Sequence, residues 1–174
     1  MSQAALPNNP KLYSLESLKK QCLHWQNQGD TVVFTNGCFD ILHPGHVAYL
    51  QDAANLGHKL ILGLNSDSSV KRINKGPERP LNHELSRAFL LGGLSAISAI
   101  VIFDEDNPLR LIAELKPNLL VKGADYDENE NNPSSKKYIV GKLEVEKYGG
   151  KVKSIPFIEG FSTTQLIEKI KRVG

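Results

Sequence analysis

The sequence predicts an α/β fold in which a five-stranded parallel sheet carries helices on both faces. Short apolar, β-branched runs alternate along the chain with amphipathic segments of helical period. These runs are apolar at most positions, which is typical of strands that are buried on both faces. Right-handed crossovers then bring the carboxyl ends of the strands to one edge, where sheets of this class bind ligands.

Composition favours one soluble domain. The chain has 174 residues, and 40% of them are hydrophobic, which is enough for a single core. Residues 1–12 are polar and contain prolines, so we expect a flexible tail followed by one domain over residues 13–174. A net charge of +2 and only 7% aromatic residues argue against nucleic-acid binding. The absence of a signal peptide and of a membrane-length apolar run favours the cytoplasm, with both cysteines as free thiols.

A helix is predicted before the first strand. Leu15, Leu18, Cys22 and Trp25 recur at helical spacing, and Gly29 ends the pattern. We expect this helix to cover the sheet, and the alternative is an interface between subunits.

The remaining elements alternate regularly. Strands are predicted at residues 31–35, 59–65, 96–103, 117–123 and 151–157. Helices are predicted at residues 44–57, 82–94, 107–116, 134–150 and 162–173. Asn107 should cap the third of these helices with Pro108 at its first position, and Gly141 weakens the fourth. The stretches 65–81 and 123–135 are the least regular, so we expect them to be loops at the ligand-binding edge.

The segment GCFDILHPGH, residues 37–46, joins the first strand to the second helix. A helix N-terminus offers unpaired N–H groups and a positive dipole end, which suit a phosphate. Gly37 and Gly45 would let a ligand approach the backbone closely. His43 and His46 are three residues apart, so both imidazoles can project to one side and donate to a phosphate oxygen.

Two other interpretations of this segment remain open. The histidines could be ordinary surface or capping residues. Alternatively, Cys38, His43 and His46 could bind a metal ion. This set lacks a fourth ligand at a usual spacing, because Cys22 is expected in another helix.

A second helix start carries the segment EGFSTTQLIEKI, residues 159–170. Ser162 is a favourable N-cap, and Gln165 three residues later completes the pattern of a capping box. Thr163 and Thr164 then present hydroxyl and N–H groups at the helix N-terminus. Two helix starts could therefore face one polyphosphate.

The segment SVKRINKGPERPLN, residues 69–82, is basic and is predicted to be a loop. It is either a solvated surface or a mobile lid over a polyphosphate. In the second case Lys75 would reach the phosphates as a point charge, and Arg79 could grip a planar or bidentate target.

The two motifs together resemble the HxGH and closing-helix signatures of the nucleotidyltransferase superfamily, which has a Rossmann-like fold. The longer runs LNSDSSVKRINKGPERPLN, FDEDNPLRLIAELKPNLLVKGADY and YGGKVKSIPFIEGFSTT resemble the adenylyltransferases of ADP-heptose synthesis, a carbohydrate pathway that supplies lipopolysaccharide. This resemblance implies transfer of AMP from ATP to D-glycero-β-D-manno-heptose 1-phosphate, with Mg²⁺ on the phosphates and a homo-oligomer as an option. The polar, asparagine-rich segment 127–142 departs from the family pattern and affects the identity of the sugar.

The resemblance also implies roles for individual residues. Catalytic roles fall to His43, His46 and Lys75. Nucleotide binding falls to Asn36, Gly37, Phe39, Gly45, Lys122, Gly123, Asp125, Ser162, Thr163 and Thr164. Substrate binding falls to Asp40, Lys71 and Arg79. Asp40 is also the first candidate for a metal ligand, and its alternative role is to cap the turn from Ile41 to His43.

Other functions remain open at this level. The same chemistry could serve a cytidylyltransferase for glycerol phosphate or ethanolamine phosphate, or an adenylyltransferase for FMN or phosphopantetheine. A different class of protein, a non-catalytic nucleotide-binding regulator, could keep the same fold. Intact histidines and an intact Ser-Thr-Thr helix start argue against the regulator, because a sensor does not need donors for a transition state.

Overall fold

The computed structural model describes residue 6 and residues 8–73, 78–158 and 160–173. The strands are β1 (Val32–Gly37), β2 (Lys59–Asn65), β3 (Ala99–Phe103), β4 (Leu119–Gly123) and β5 (Lys151–Ile155). The helices are α1 (Leu15–Asn27), α2 (Pro44–Ala54), α3 (Asp67–Arg72), α4 (Glu84–Gly92), α5 (Leu109–Leu115), α6 (Lys142–Lys147) and α7 (Thr163–Val173). In this described part of the chain the five strands form one parallel sheet in the order β3-β2-β1-β4-β5. The predicted α/β fold is confirmed.

Two apolar layers hold the sheet. One layer joins it to α1 and α5 through Leu18, Phe34 and Ile112, and the other joins it to α2 and α4 through Leu50 and Leu91. All five side chains are fully buried, and each contributes about 1.5–3 kcal/mol relative to full exposure. α1 therefore covers the sheet, as predicted. No helix among the described residues is long and apolar enough to span a bilayer.

The strand order reverses between β1 and β4. The chain leaves β1 toward β2 on one side, and it returns from β3 to β4 on the other side. Connections that diverge in this way leave a crevice at the carboxyl ends of the two strands. That crevice lies where the sequence analysis places its first motif.

Two elements differ from their predictions. The stretch 65–81 contains a short helix, α3, because the Ser66 hydroxyl caps it by accepting the N–H of Ser69 at 3.0 Å. The helix predicted over residues 134–150 is much shorter and begins only at Lys142. Gly141 lies directly before α6 and has a φ of 94°, which is a left-handed conformation. The residues before Gly141 therefore do not continue into the same helix.

Helix starts differ by one or two residues elsewhere. α4 begins after His83 rather than at Asn82, and α5 begins after Pro108. Asn107 still accepts a hydrogen bond from the N–H of Leu109 at 3.1 Å, which is the capping contact shifted by one position.

The N-terminal segment also differs from the expected loose tail. Asn9 and Lys11 donate side-chain hydrogen bonds to carbonyls of α4 and of the turn that follows it. The N–H of Ile100 in β3 donates to the Lys11 carbonyl at 2.7 Å. The chain is therefore held to the domain from residue 9 onward. Residues 1–5 and 7 lie outside the described residues.

Candidate functional site

The start of α2 places the first histidine. His43 is the N-cap residue, in extended conformation, and Pro44 occupies the first helical position. The Nδ1 atom of His43 accepts the backbone N–H of His46 at 3.3 Å. Because one ring nitrogen accepts, the neutral imidazole carries its proton on Nε2. The cap therefore makes His43 a hydrogen-bond donor at its outer nitrogen.

The two histidines form one stacked unit. Their ring centres are 3.7 Å apart, with 17° between the planes. Burial lowers the pKa of both rings, and the pKa of His46 falls to about 4. The neighbouring His43 and Arg79 lower the pKa of His46 further, while a hydrogen bond with the Ile41 carbonyl opposes the shift. Both imidazoles are therefore neutral near pH 7.

His46 is held mainly by packing. The centre of its ring lies 5.0 Å from the centre of the Phe39 ring. Among the residues that the structure describes, its Nδ1 atom is buried without a direct hydrogen-bond partner. A buried polar atom left in this state is costly in a protein interior.

Phe39 itself has an unusual backbone. Its φ is 45°, in the left-handed region that non-glycine residues seldom adopt. A Cβ atom at Gly37 would lie 2.7 Å from the Phe39 ring, so only glycine fits there. Gly37 thus serves the turn after β1 in addition to its expected role beside a ligand.

Asp40 is buried and engaged by the chain itself. Its carboxylate accepts hydrogen bonds from Arg79 and from the N–H groups of Leu81 and Asn82. Both carboxylate oxygens are therefore occupied. The structure therefore argues against Asp40 as a substrate or metal ligand. The alternative prediction, that Asp40 caps the turn from Ile41 to His43, is also not what the structure shows, because the partners of its carboxylate lie at residues 79–82. The contact between Asp40 and Arg79 instead joins the segment before α4 to the segment after β1.

Arg87 is a structural centre that the sequence analysis missed. Its guanidinium is fully buried and donates to the carbonyls of Cys38, Asn65 and Asn82. It also pairs with Asp67 at 2.7 Å. One side chain thus ties together the segments that follow β1 and β2 and the segment before α4. Because arginine is rarely buried unless it is paired, its position on the apolar face of α4 was the signal available in the sequence.

The carboxyl end of β4 brings further predicted residues to the crevice. The Lys122 ammonium group donates to the Asn36 side chain and lies 5.3 Å from the centre of the Tyr126 ring. Lys122 is only 8% exposed, so its positive charge is held close to β1. Asp125 follows and is exposed. Asn36 and Lys122 are therefore in contact near the ends of β1 and β4, and Asp125 follows shortly after β4.

Tyr49 connects α2 to both central strands and was also missed. Its hydroxyl bonds with Thr35 Oγ1 at 2.7 Å and donates to the Val121 carbonyl at 3.4 Å. Burial raises the pKa of this phenol well above its usual value. Tyr49 lies three residues after His46, so this contact fixes the second turn of α2 against the sheet.

The start of α7 lies against the start of α2. A Cβ atom at Gly45 would lie 3.0 Å from Phe161 Cβ and 3.2 Å from His43 Nδ1. The next residue, Ser162, caps α7 by accepting the N–H of Gln165 at 3.1 Å, as predicted. Thr163 and Thr164 form the first turn. The two helix starts named in the sequence analysis are therefore neighbours.

The basic residues of the segment 69–82 are not shown to converge on this site. Lys75 lies outside the described residues. Lys71 is exposed and lies on α3 rather than on a loop. Arg72, in the same turn, pairs with Asp106 at 2.6 Å and is therefore engaged at the end of β3.

The metal interpretation of the first motif is wrong. The described residues contain no group of three His, Cys, Asp or Glu side chains that could hold a metal ion. Cys22 and Cys38 form no disulfide with each other, and Cys22 is buried on α1 with a pKa raised to about 11 by burial.

A family model described as cytidylyltransferase-like matches residues 34–169. Two curated relatives are each called "Bifunctional protein HldE". The one from Syntrophotalea carbinolica is 51% identical over 170 residues, and the one from Magnetococcus marinus is 44% identical over 170 residues. The matches cover 98% of this chain and 33% of each relative, so the chain spans about a third of their length.

Solved structures share the fold. The lipopolysaccharide core biosynthesis protein from Thermoplasma volcanium has a TM-score of 0.56 and 27% identity, over 75% of this chain and 98% of that one. Pantothenate synthetase from Thermus thermophilus has a TM-score of 0.57 over 93% of this chain and 70% of its own. Its 15% identity supports the fold alone.

Proposed function

Because the chain belongs to the cytidylyltransferase-like family of nucleotidyltransferases, we propose that it transfers AMP from ATP to a sugar 1-phosphate. The proposed acceptor is D-glycero-β-D-manno-heptose 1-phosphate, and the products are ADP-heptose and pyrophosphate. The observation that carries the proposal is the contact between Phe161 and Gly45, which places the N-termini of α7 and α2 side by side. A triphosphate at this position would meet two positive dipole ends and two sets of unpaired N–H groups.

The proposed reaction is an in-line displacement. An oxygen of the sugar phosphate attacks the α-phosphorus of ATP, the bond to the β-phosphate oxygen breaks, and pyrophosphate leaves with that electron pair. The attacking oxygen is already anionic near neutral pH, so no general base is required. The protein must align two anions and disperse the charge that develops on the transferring and departing groups.

The histidines suit that task. His43 presents a donor at Nε2 because its Nδ1 accepts the His46 N–H. His46 is kept neutral by burial, with a pKa of about 4. An anion close to the rings favours their protonated form and raises both pKa values. The pair can therefore take up positive charge as negative charge accumulates on the phosphates.

The other residues take the roles that the family resemblance implies. We expect Lys75 to neutralise the departing pyrophosphate, with Lys71 as the second candidate. The hydroxyl and N–H groups at the start of α7 would hold the triphosphate opposite the histidines. Asn36 near the end of β1 and Lys122 near the end of β4 hydrogen-bond to each other, and together with Asp125 they would contact the base or ribose.

The family resemblance implies Mg²⁺, and the residues present do not fit a protein-ligated metal. Both oxygens of Asp40 are occupied by Arg79, Leu81 and Asn82, and the described residues offer no cluster of metal ligands. Mg²⁺ commonly keeps several waters and binds through substrate phosphates. We expect that mode here and assign no step to the ion. A homo-oligomer and a cytoplasmic location stay predictions.

The test is a pyrophosphate-release assay with ATP and CTP against a panel of sugar and alcohol phosphates. The proposal expects release with ATP and the heptose 1-phosphate, and a decrease of about 100-fold or more in turnover for His46→Ala with the fold retained. Release only with CTP, or only with glycerol phosphate, would select one of the alternative transferases. Tight nucleotide binding without release for any acceptor would favour the regulator, and unchanged turnover in His46→Ala would contradict the assigned role.

A further inference from the structure

The segment between β5 and α7 presents large apolar side chains beside this polar site. Phe157, Ile158 and Phe161 are 53%, 47% and 45% exposed. Phe161 lies against Gly45 at the start of α2, and Phe157 lies against Gly123 at the end of β4. Ligand sites combine a few polar groups with apolar and aromatic walls, so exposed apolar surface here indicates a ligand that has an apolar face as well as phosphates.

Phe157 is the best placed of the three. Its ring covers Gly123 at the end of β4 so closely that a Cβ atom at Gly123 would overlap with it. On the other side the ring centre lies 6.0 Å from that of Tyr49, with 44° between the planes. Tyr49 is one turn after His46 on α2. The Phe157 ring therefore lies against the carboxyl end of β4 and beside α2, one turn after His46.

We propose that Phe157 is a specificity-determining residue on which the nucleotide base stacks, and that it favours a purine over a pyrimidine. This inference rests on the proposed function, because it assumes that a nucleoside triphosphate occupies the site. Gly123 lets the ring lie against the backbone, and Phe157 is 53% exposed, which leaves surface for a base. A purine offers a larger face to a single aromatic ring than a pyrimidine does, so stacking on Phe157 favours ATP over CTP.

The expected effect follows from the size of base–aromatic stacking. Removing such a ring weakens binding of a base by about 5- to 150-fold. The loss should affect the nucleoside part of the ligand alone, because Phe157 has no polar group to offer a phosphate. Inorganic tripolyphosphate, which carries the phosphates without a base, is therefore the discriminating probe.

The experiment measures binding of ATP, CTP and inorganic tripolyphosphate by calorimetry to the full chain. Phe157→Ala should weaken ATP binding by about 5- to 150-fold, weaken CTP binding less, and leave tripolyphosphate binding within about twofold. Phe157→Tyr, which keeps an aromatic face, should bind ATP as the wild type does. Phe89→Ala is the matched control, because Phe89 is a partly exposed phenylalanine on α4.

Three results would overturn the inference. ATP binding could be unchanged in Phe157→Ala, or all three ligands could lose affinity equally. All three could also bind more tightly, which would make Phe157 a plug that the nucleotide must displace. If the alanine variant loses its thermal transition, Phe157→Leu keeps apolar volume without an aromatic face and should show the same selective loss. If the wild-type protein binds no nucleotide, the proposed function is contradicted as well. If the wild type releases pyrophosphate and Phe157→Ala binds ATP as the wild type does, only this inference is contradicted.

Discussion

Lowering the pH from 7 to about 4.5 should destabilise the protein by about 2 kcal/mol through His46 alone. Burial, the neighbouring His43 and Arg79 lower the pKa of His46 to about 4 in the folded chain. In the unfolded chain the same imidazole titrates near 6.5. Between these two values the unfolded chain binds more protons, so acidification favours unfolding.

The size of the effect follows from the gap between the two pKa values. The full gap corresponds to about 3 kcal/mol at 1.36 kcal/mol for each pKa unit, and most of it is reached by about pH 4.5. The stabilisation is complete above about pH 6.5 and is lost as the pH falls toward 4. Burial is the largest cause of the shift in the pKa of His46. A glutamine at this position cannot be protonated, so it removes this contribution to the pH dependence of stability.

The assay compares urea unfolding of the wild type and of His46→Gln at both pH values. Groups common to the two proteins cancel, so the wild type should lose about 2 kcal/mol more than the variant on acidification. His24, which is exposed on α1, supplies the matched control His24→Gln. Equal losses in the wild type and in His46→Gln would refute the claim that burial keeps His46 neutral.

Two further predictions concern the residues that hold the site. Asp40→Asn should lower the free energy of unfolding in urea by about 3–5 kcal/mol, because it leaves the nearly buried charge of Arg79 uncompensated. The control Asp106→Asn, at an exposed ion pair, should lower it by less than about 1 kcal/mol. Similar losses in the two variants would contradict this reasoning. Tyr49→Phe should cost about 1 kcal/mol in thermal unfolding, because it removes the hydroxyl that joins α2 to Thr35; no change in stability would show that packing alone fixes this turn.

Much of the fold and both helix starts were predictable from the sequence, because their signals are local. The five strands follow from short apolar runs, and the start of α2 follows from the segment around Pro44. The Ser162 cap is likewise encoded within three residues, and its contact with Gln165 is confirmed. The error over residues 134–150 has a local cause too, since helical spacing does not reveal that Gly141 adopts a positive φ.

The supports of the site were not predictable in the same way. Arg87 and the Cys38 carbonyl are 49 residues apart in the chain, and Asp40 and Arg79 are 39 apart. No periodicity links such partners, and an acidic residue near a phosphate motif suggests a metal ligand before it suggests an internal clamp. Tyr49 was hidden for a similar reason, because an aromatic residue at helical spacing looks like ordinary core.

The proposed function requires that the N-termini of α2 and α7 hold one triphosphate between them. Backbone amide hydrogen exchange during a titration with ATP tests this claim directly. The first-turn amides of both helices should gain protection together, with the same midpoint concentration, and inorganic tripolyphosphate should reproduce the effect at both ends. Protection at only one helix start, or different midpoints at the two, would contradict it.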